Sequence, residues 1–326
     1  MTDDGEDDST ADTGGATSKP APPGDWSSAT QDLPFDPPPT DSEAPRYDDE
    51  DDNMPPSSRL IAIAASRTGT CALDEDGLAH CWGGATSPTT LRPRDVAFTA
   101  IARGRRHACG LKADGQVLCW GDNEDGQSTP PSDVTFTAIT AGNDHTCGLD
   151  EDGKAHCWGS NLWGQSAPPE NVAFTAISTG GWGICGIRKD DGKAQCWGSS
   201  YGSRSDPPED VTFTAIAVGE GFAYGLDEDG RPHHWGNDNE EFHTPPEDVT
   251  FTTIAVGEAH TCGLDVDGKA HCWGREYCNQ FDCGQLTAPT DVTFIAITAG
   301  FLEACAIRAD NRTLMCWDII EYILDI

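Results

Sequence analysis

The stretch 136–172, FTAITAGNDHTCGLDEDGKAHCWGSNLWGQSAPPENV, decides the fold because the chain repeats it. Its Trp158-Gly159 step has counterparts at Trp82, Trp120, Trp197, Trp235 and Trp273, spaced by 38 or 39 residues, and Trp317 follows after 44. A strand-rich repeat of about forty residues is the period of a propeller blade, a unit too small to bury a core until neighbours stack against it. Within the repeat, Phe136–Ile139 alternates and runs into Thr140-Ala141-Gly142, small residues suited to the strand nearest a central channel. A hairpin follows: His145–Leu149, a turn at Asp150–Gly153, then Lys154–Trp158. The Asp-Gly step supplies the positive φ of a three-residue loop closed by a glycine bulge. Repeat seven has Asp310-Asn311 there, and Asn311 is expected to take the left-handed position.

Strand alternation puts Cys147, Leu149, Ala155 and Cys157 on one face of the hairpin, and Thr146, Gly148, His156 and Trp158 on the other. Blades cover both faces of their neighbours, so the tryptophan is expected to fill the gap between them. Seven tryptophan marks predict an all-β, seven-bladed β-propeller over residues 59–326. Pro-Pro at 130–131, 168–169, 207–208 and 245–246 suits crossovers between blades, since proline cannot donate to a central ladder. The apolar end 318–326 is expected to supply the outer strand of the last blade.

Residues 1–58 differ in kind. Sixteen acidic residues stand against Lys19 and Arg46, with ten prolines and almost no aliphatic run, so this segment reads as a disordered acidic tail. The formal net charge of −35 divides into −14 on the tail and −21 on the repeats. A surface so negative repels phosphate backbones, which excludes a nucleic-acid partner; cations, basic proteins and neutral sugars remain compatible. No apolar run reaches the length of a membrane span.

Twelve of the fourteen cysteines form six pairs: Cys71 with Cys81, Cys109 with Cys119, Cys147 with Cys157, Cys185 with Cys196, Cys262 with Cys272, and Cys305 with Cys316. A three-residue turn places Cys147 opposite Cys157, within disulfide reach; the two pairs spaced by eleven need one extra loop residue or a bulge. Repeat five lacks both members, with Tyr224 and His234 in their places, and joint loss is what a bonded pair predicts. The alternatives are buried free thiols or a metal site, although the spacing matches no zinc ribbon or knuckle. Cys278 and Cys283 could pin the loop they bracket. Bridges of this number imply an oxidising compartment, extracellular or in the cell envelope. The start MTDDGEDDST has neither the basic nor the apolar region of a signal peptide, which leaves a cytoplasmic location as the alternative.

The string Gly-x-x-His-Thr-Cys-Gly-Leu-x-x-Asp-Gly-x-x-x-Cys-Trp-Gly-x-Asn-x-x-Gly-Gln resembles the regulator-of-chromosome-condensation repeat. Repeats two, three and six carry it best, through His107, His145 and His260, the Asp-Gly turns, and Asn123/Gln127, Asn161/Gln165 and Gly284-Gln285. The resemblance implies a seven-bladed propeller, closer to secreted bacterial members than to the nuclear exchange factor. It also raises nucleotide exchange on a small GTPase as an alternative function, with the insertion around 277–283 as a wedge.

No enzyme is expected. The histidines, such as His80, His156, His233 and His271, mostly sit at repeated scaffold positions, and no nucleophile elbow, phosphate loop or His-Glu-x-x-His motif is present. The turns Asp150/Asp152, Asp227/Asp229 and Asp265/Asp267 lack the further oxygen ligands of a calcium loop, so neither metal nor cofactor is expected. The repeat diverges most in its loops, where Trp163, Trp182, Tyr201, Phe242, Tyr277 and Phe281 appear. Aromatics on loops of a rigid scaffold are the residue types of interface hot spots, so these six are the candidates for binding a protein partner, with the chain expected to be a monomer. A carbohydrate-binding propeller is a further alternative.

Overall fold

The computed structural model describes residues 59–83, 92–199, 206–236, 244–274, 286–301 and 303–317, all within the unit Ala44–Ile326. The predicted acidic tail, the loop holding Cys278 and Cys283, and the segment 318–326 lie outside the described residues.

Each repeat forms one antiparallel three-stranded sheet, giving seven blades in which strand order follows chain order. Blade 3 consists of Phe136–Ala141, His145–Asp150 and Ala155–Gly159. The first strands of successive blades lie side by side, and Leu60–Ser66 of blade 1 meets Phe294–Ala299 of blade 7, so the ring is closed. At this seam the Leu60 amide donates to the Arg312 carbonyl (2.8 Å), and the Ala65 amide to Thr298 Oγ1 (3.0 Å).

The hydrophobic core is divided among the gaps between blades. Cys109, Leu111 and Cys119 of blade 2 pack against Phe136 and Trp158 of blade 3; Cys147, Leu149 and Ala155 of blade 3 pack against Phe174 and Trp197 of blade 4. The first-strand phenylalanine and the outer-strand tryptophan of one blade therefore form a single plug, with ring centroids 5.6 Å apart for Phe136 and Trp158. Their burial removes most of two large aromatic surfaces from water, worth about 1.5–3 kcal/mol for a side chain of phenylalanine size. Trp158 Nε1 also donates to the Gln127 carbonyl of the preceding repeat (2.9 Å). Gly148 is required beneath the phenylalanine: a Cβ there would lie 2.5 Å from the Phe136 ring.

Cys147 pairs across the strands with Cys157, Thr146 with Trp158, and Gly148 with His156, as the alternation predicts. All six expected disulfides are formed. Cys71 is bonded to Cys81, Cys109 to Cys119, Cys147 to Cys157 and Cys262 to Cys272, each across directly opposed strand positions. Cys185 is bonded to Cys196 and Cys305 to Cys316, and these two bridges accommodate their spacing of eleven in a longer turn. Neither buried free thiols nor a metal site is therefore needed to explain these twelve positions. Such bridges form and persist in an oxidising environment. In blade 5 the ring of the buried Tyr224 lies 5.8 Å from that of its cross-strand partner His234, tilted by 37°, and its hydroxyl accepts from Trp273 Nε1 of blade 6 at 3.0 Å. Two aromatic rings thus take the volume and the interblade position that a bridge holds elsewhere.

The turn in repeat seven departs from expectation. Arg312, with φ of 65°, occupies the left-handed position, as Gly192 (φ 69°) does in repeat four. The extra residue of these two turns shifts the strained position by one. Asn311 instead accepts from the Thr313 amide at 3.0 Å, the role Asp191 plays toward Lys193 at 3.1 Å.

Candidate functional site

The two ends of the ring are built differently. At one end lie the Asp-Gly turns, whose aspartate is satisfied within its own blade. Asp150 Oδ1 accepts from the Asp152 amide (3.0 Å) and the Lys154 amide (2.9 Å), while Oδ2 lies 2.8 Å from His156 Nε2. The same histidine–aspartate pair recurs at His80/Asp74, His233/Asp227 and His271/Asp265, each at 2.8 Å. Burial tends to raise the Asp150 carboxyl, but the hydrogen bonds from His156 and Lys154 reverse this and hold it below the ordinary carboxylate value. His156 also meets the Phe136 ring edge-on at 5.9 Å. These histidines fasten the turn to the blade. The turn glycine then ties blade to blade, as the Phe174 amide donates to the Gly153 carbonyl (2.7 Å).

At the opposite end the first and middle strands of each blade are joined by short turns that surround the channel mouth. The equivalent position in blades 1 to 7 holds Arg67, Arg105, Asn143, Gly181, Glu220, Glu258 and Phe301. Arg67 reaches across the opening. Its Nη1 lies 3.4 Å from Glu220 Oε2 and 3.3 Å from Glu258 Oε2, and its guanidinium carbon sits 4.9 Å from the centre of the Phe301 ring. Asn143 Nδ2 donates to Glu220 Oε1 (3.4 Å). Burial, together with the neighbouring Glu220 charge, raises the Glu258 carboxyl despite Arg67.

Beneath the mouth lies a layer of buried histidines. His107 Nε2 is 2.8 Å from Thr146 Oγ1 of the next blade. The residues corresponding to Thr146 beside His145 and His260 are Ile184 and Ala304, and neither ring nitrogen of either histidine has a well-formed hydrogen bond among the described residues. Desolvation lowers His145 to about 3 and both His107 and His260 to about 4, so all three are neutral near pH 7. Blade 1 has Gly69 at this position; a Cβ there would come 2.9 Å from Arg103 Nη2, so the missing side chain makes room for that buried guanidinium. Desolvation brings Arg103 down to about 10, opposed by Glu303 of blade 7, which in turn accepts from Thr70 Oγ1 at 2.6 Å.

The loops after the outer strands rise on the mouth side, since the Ser160 amide donates to the Asp144 carbonyl and the Asp122 amide to the Arg106 carbonyl, both at 2.8 Å. In repeat three, Gln165 Oε1 accepts from the Trp163 amide (2.7 Å) and Asn161 Oδ1 from the Ser166 amide (3.0 Å). Repeat two builds the same loop with Gln127 and Asn123 but carries Glu124-Asp125 at its tip, where repeat three carries Leu162-Trp163. The apolar pair is therefore no requirement of the loop. Leu162 is 83% exposed and Trp163 57%, whereas Trp120, Trp158, Trp197, Trp235, Trp273 and Trp317 are all buried. Trp182, 38% exposed, stands on the adjoining mouth turn, and its carbonyl accepts from the Ser199 amide (2.9 Å). Both segments flank Gly198, where a Cβ would meet the Trp182 carbonyl at 2.5 Å and the Gln165 side chain at 3.4 Å.

Of the six predicted binding residues, Trp163 and Trp182 are brought together on this face. Tyr201, Phe242, Tyr277 and Phe281 lie outside the described residues, as does the 277–283 insertion. Sequence reading missed Leu162 and the mouth group Arg67, Glu220, Glu258 and Phe301. Their signal was the column four residues before the first cysteine position, which differs in nearly every repeat beside small residues that recur.

Three segments, 98–127, 136–165 and 251–280, match the regulator of chromosome condensation (RCC1) repeat. The chain is a β-propeller that carries RCC1 repeats in three of its seven blades. These are repeats two, three and six, the ones with both the Asp-Gly turn and the buried histidine. The RCC1-repeat ring is similar to the ectodomain of the receptor kinase CR4 from Physcomitrella patens, with 24% identity, a TM-score of 0.69, and coverage of 80% of this chain and 73% of that one. The ectodomain of the receptor kinase ACR4 from Arabidopsis thaliana matches at 24% identity and TM-score 0.68, over 80% of this chain and 96% of that one. Prp20p from Saccharomyces cerevisiae matches at 17% identity and TM-score 0.60, over 79% and 82%. No curated protein sequence matches. These likenesses establish the fold. Among the described residues no helix is long and apolar enough to cross a membrane.

Proposed function

We propose that this RCC1-repeat propeller is a non-catalytic extracellular binding protein that holds a protein partner on the mouth face, with Leu162, Trp163 and Trp182 as apolar anchors. One observation carries the reading. The loop of repeat three presents an exposed Leu-Trp pair on the same hydrogen-bonded frame that presents Glu-Asp in repeat two. Exposed aromatic anchors on a pre-organised loop lose little conformational entropy on binding, which is the character of hot-spot residues. The six disulfides support an extracellular site of action. The charge of −21 on the repeats favours encounter with a partner bearing basic surface. Nucleotide exchange is the weaker reading. Prp20p is described with binding properties toward Gsp1p and histones, but the present chain shares only its fold, and the bridges fit a reducing cytosol poorly.

The test is quantitative capture of secreted proteins from the native source by immobilised wild-type chain and by Trp163→Ala and Trp182→Ala. Loss of a specific captured protein with unchanged thermal stability is the expected result. Identical capture by all three proteins would remove the assignment.

A further inference from the structure

We infer that the channel mouth is a recognition site for a guanidinium group, which the resting chain fills with its own Arg67. The inference deepens the binding reading: the chemistry it assigns to the partner is an arginine side chain. Four blades build the box. Glu220 and Glu258 supply two carboxylates, Phe301 an aromatic face, and Arg67 the occupant. Paired carboxylates with an aromatic face meet both needs of a guanidinium, hydrogen-bonding charge at its edge and a polarisable surface on its plane.

The box is held by groups other than its occupant. Asn143 Nδ2 fixes Glu220 Oε1, and the Glu258 amide donates to the Gly300 carbonyl at 3.2 Å. Gly181, the smallest residue of the ring, keeps that side open, and a Cβ there would lie 3.3 Å from Glu220 Cγ. Removal of Arg67 therefore leaves two close carboxylates without their counter-ion in a partly desolvated opening, which costs free energy until another cation enters. The other arginine of the equivalent turn positions, Arg105, acts on Asp144 rather than on this pair. With Arg67 in place the mouth keeps a free volume of only about 70 Å³, too small for a drug-sized ligand. Arg67 itself enters from a surface turn and is partly exposed, so it can leave without opening the blade.

The experiment uses the full chain carrying Arg67→Ala, with Arg67→Gln as a second variant that keeps a polar stem. Each is melted in methylguanidinium at constant ionic strength, with tetramethylammonium as the cation that cannot donate hydrogen bonds. The expected result is a saturable rise in melting temperature of about 2–4 °C with methylguanidinium alone, in the variants and not in the wild type. Adding Glu258→Gln should abolish the rise. An N-acetylarginine amide that gives the same rise, where free arginine gives less, identifies a side chain as the natural source; the reverse order overturns that part. No saturable response, an equal response to tetramethylammonium, or a response that survives Glu258→Gln overturns the site. Failure of both variants to fold makes Arg67 a structural strut and ends the proposal. Because the probe is a small cation, this outcome is independent of whether Trp163 and Trp182 capture a protein.

Discussion

The turn end and the mouth end of the ring are made from the same repeat, yet the turn end keeps one histidine–aspartate pair in four of the seven blades, whereas the mouth carries five different residue types at its seven equivalent positions. At the turn end the Asp carboxylate is consumed by two amides and a histidine, and the glycine carbonyl by the next blade. These groups have a structural task, so the pair recurs in blades 1, 3, 5 and 6. At the mouth the backbone satisfies itself through turns such as Gly142 N–H to the His145 carbonyl (2.9 Å), so the intervening side chains carry no scaffold task common to all blades. Sequence can vary there without loss of the fold, and chemistry that varies from blade to blade is where recognition can be placed.

The largest expected effect is on pH. His107, His145 and His260 are neutral in the fold, with values depressed to about 4, 3 and 4, while in the unfolded chain each titrates near 6.5. The unfolded state binds the proton first, so stability is full above about pH 6.5 and falls as pH drops toward 4, by up to about 1.4 kcal/mol per pH unit for each histidine. Chemical denaturation between pH 7.5 and 4.5 measures this, and His145→Gln should flatten the slope by about a third. A profile that is level across this range would mean that the layer under the mouth is hydrated.

Next comes the core. Trp158→Ala should cost about 3–5 kcal/mol, because it empties a gap shared by two blades rather than one residue's own pocket. Urea midpoints would show it, and a loss under about 1 kcal/mol would mean that the blades do not share that gap. Smaller is Gly148→Ala, whose methyl must displace the Phe136 ring, at about 1–3 kcal/mol by the same measurement. The smallest effect sharpens the contrast between the ends: Trp163→Ala and Leu162→Ala should leave stability within about 0.5 kcal/mol, since these exposed side chains are replaced by acidic ones on the same loop frame in repeat two. A larger drop would make the exposed pair part of the scaffold after all.

Local chemistry explains what could be read ahead of the structure. The tryptophan period, the Asp-Gly turns and the cysteine pairs, from Cys71 with Cys81 to Cys305 with Cys316, follow from the repeat and from contacts between residues ten or so apart. Spacing alone specified their geometry. Asn311 departs from the expected left-handed position for an equally local reason. One additional turn residue moved the left-handed backbone onto Arg312, and a preference for asparagine could not outweigh the hydrogen bonds that Asn311 makes to Thr313.

The mouth was beyond such reasoning. Arg67 and Glu220 are 153 residues apart, in blades 1 and 5, and they meet only because closure of the ring turns seven separate turns toward one axis. The chain alone determined the blade, its bridges and its count of repeats, since each follows from neighbours in sequence. Tertiary structure decided which unlike residues face one another across the channel and which two tryptophans share a surface. Those are consequences of circular stacking, a global geometry that no single repeat encodes.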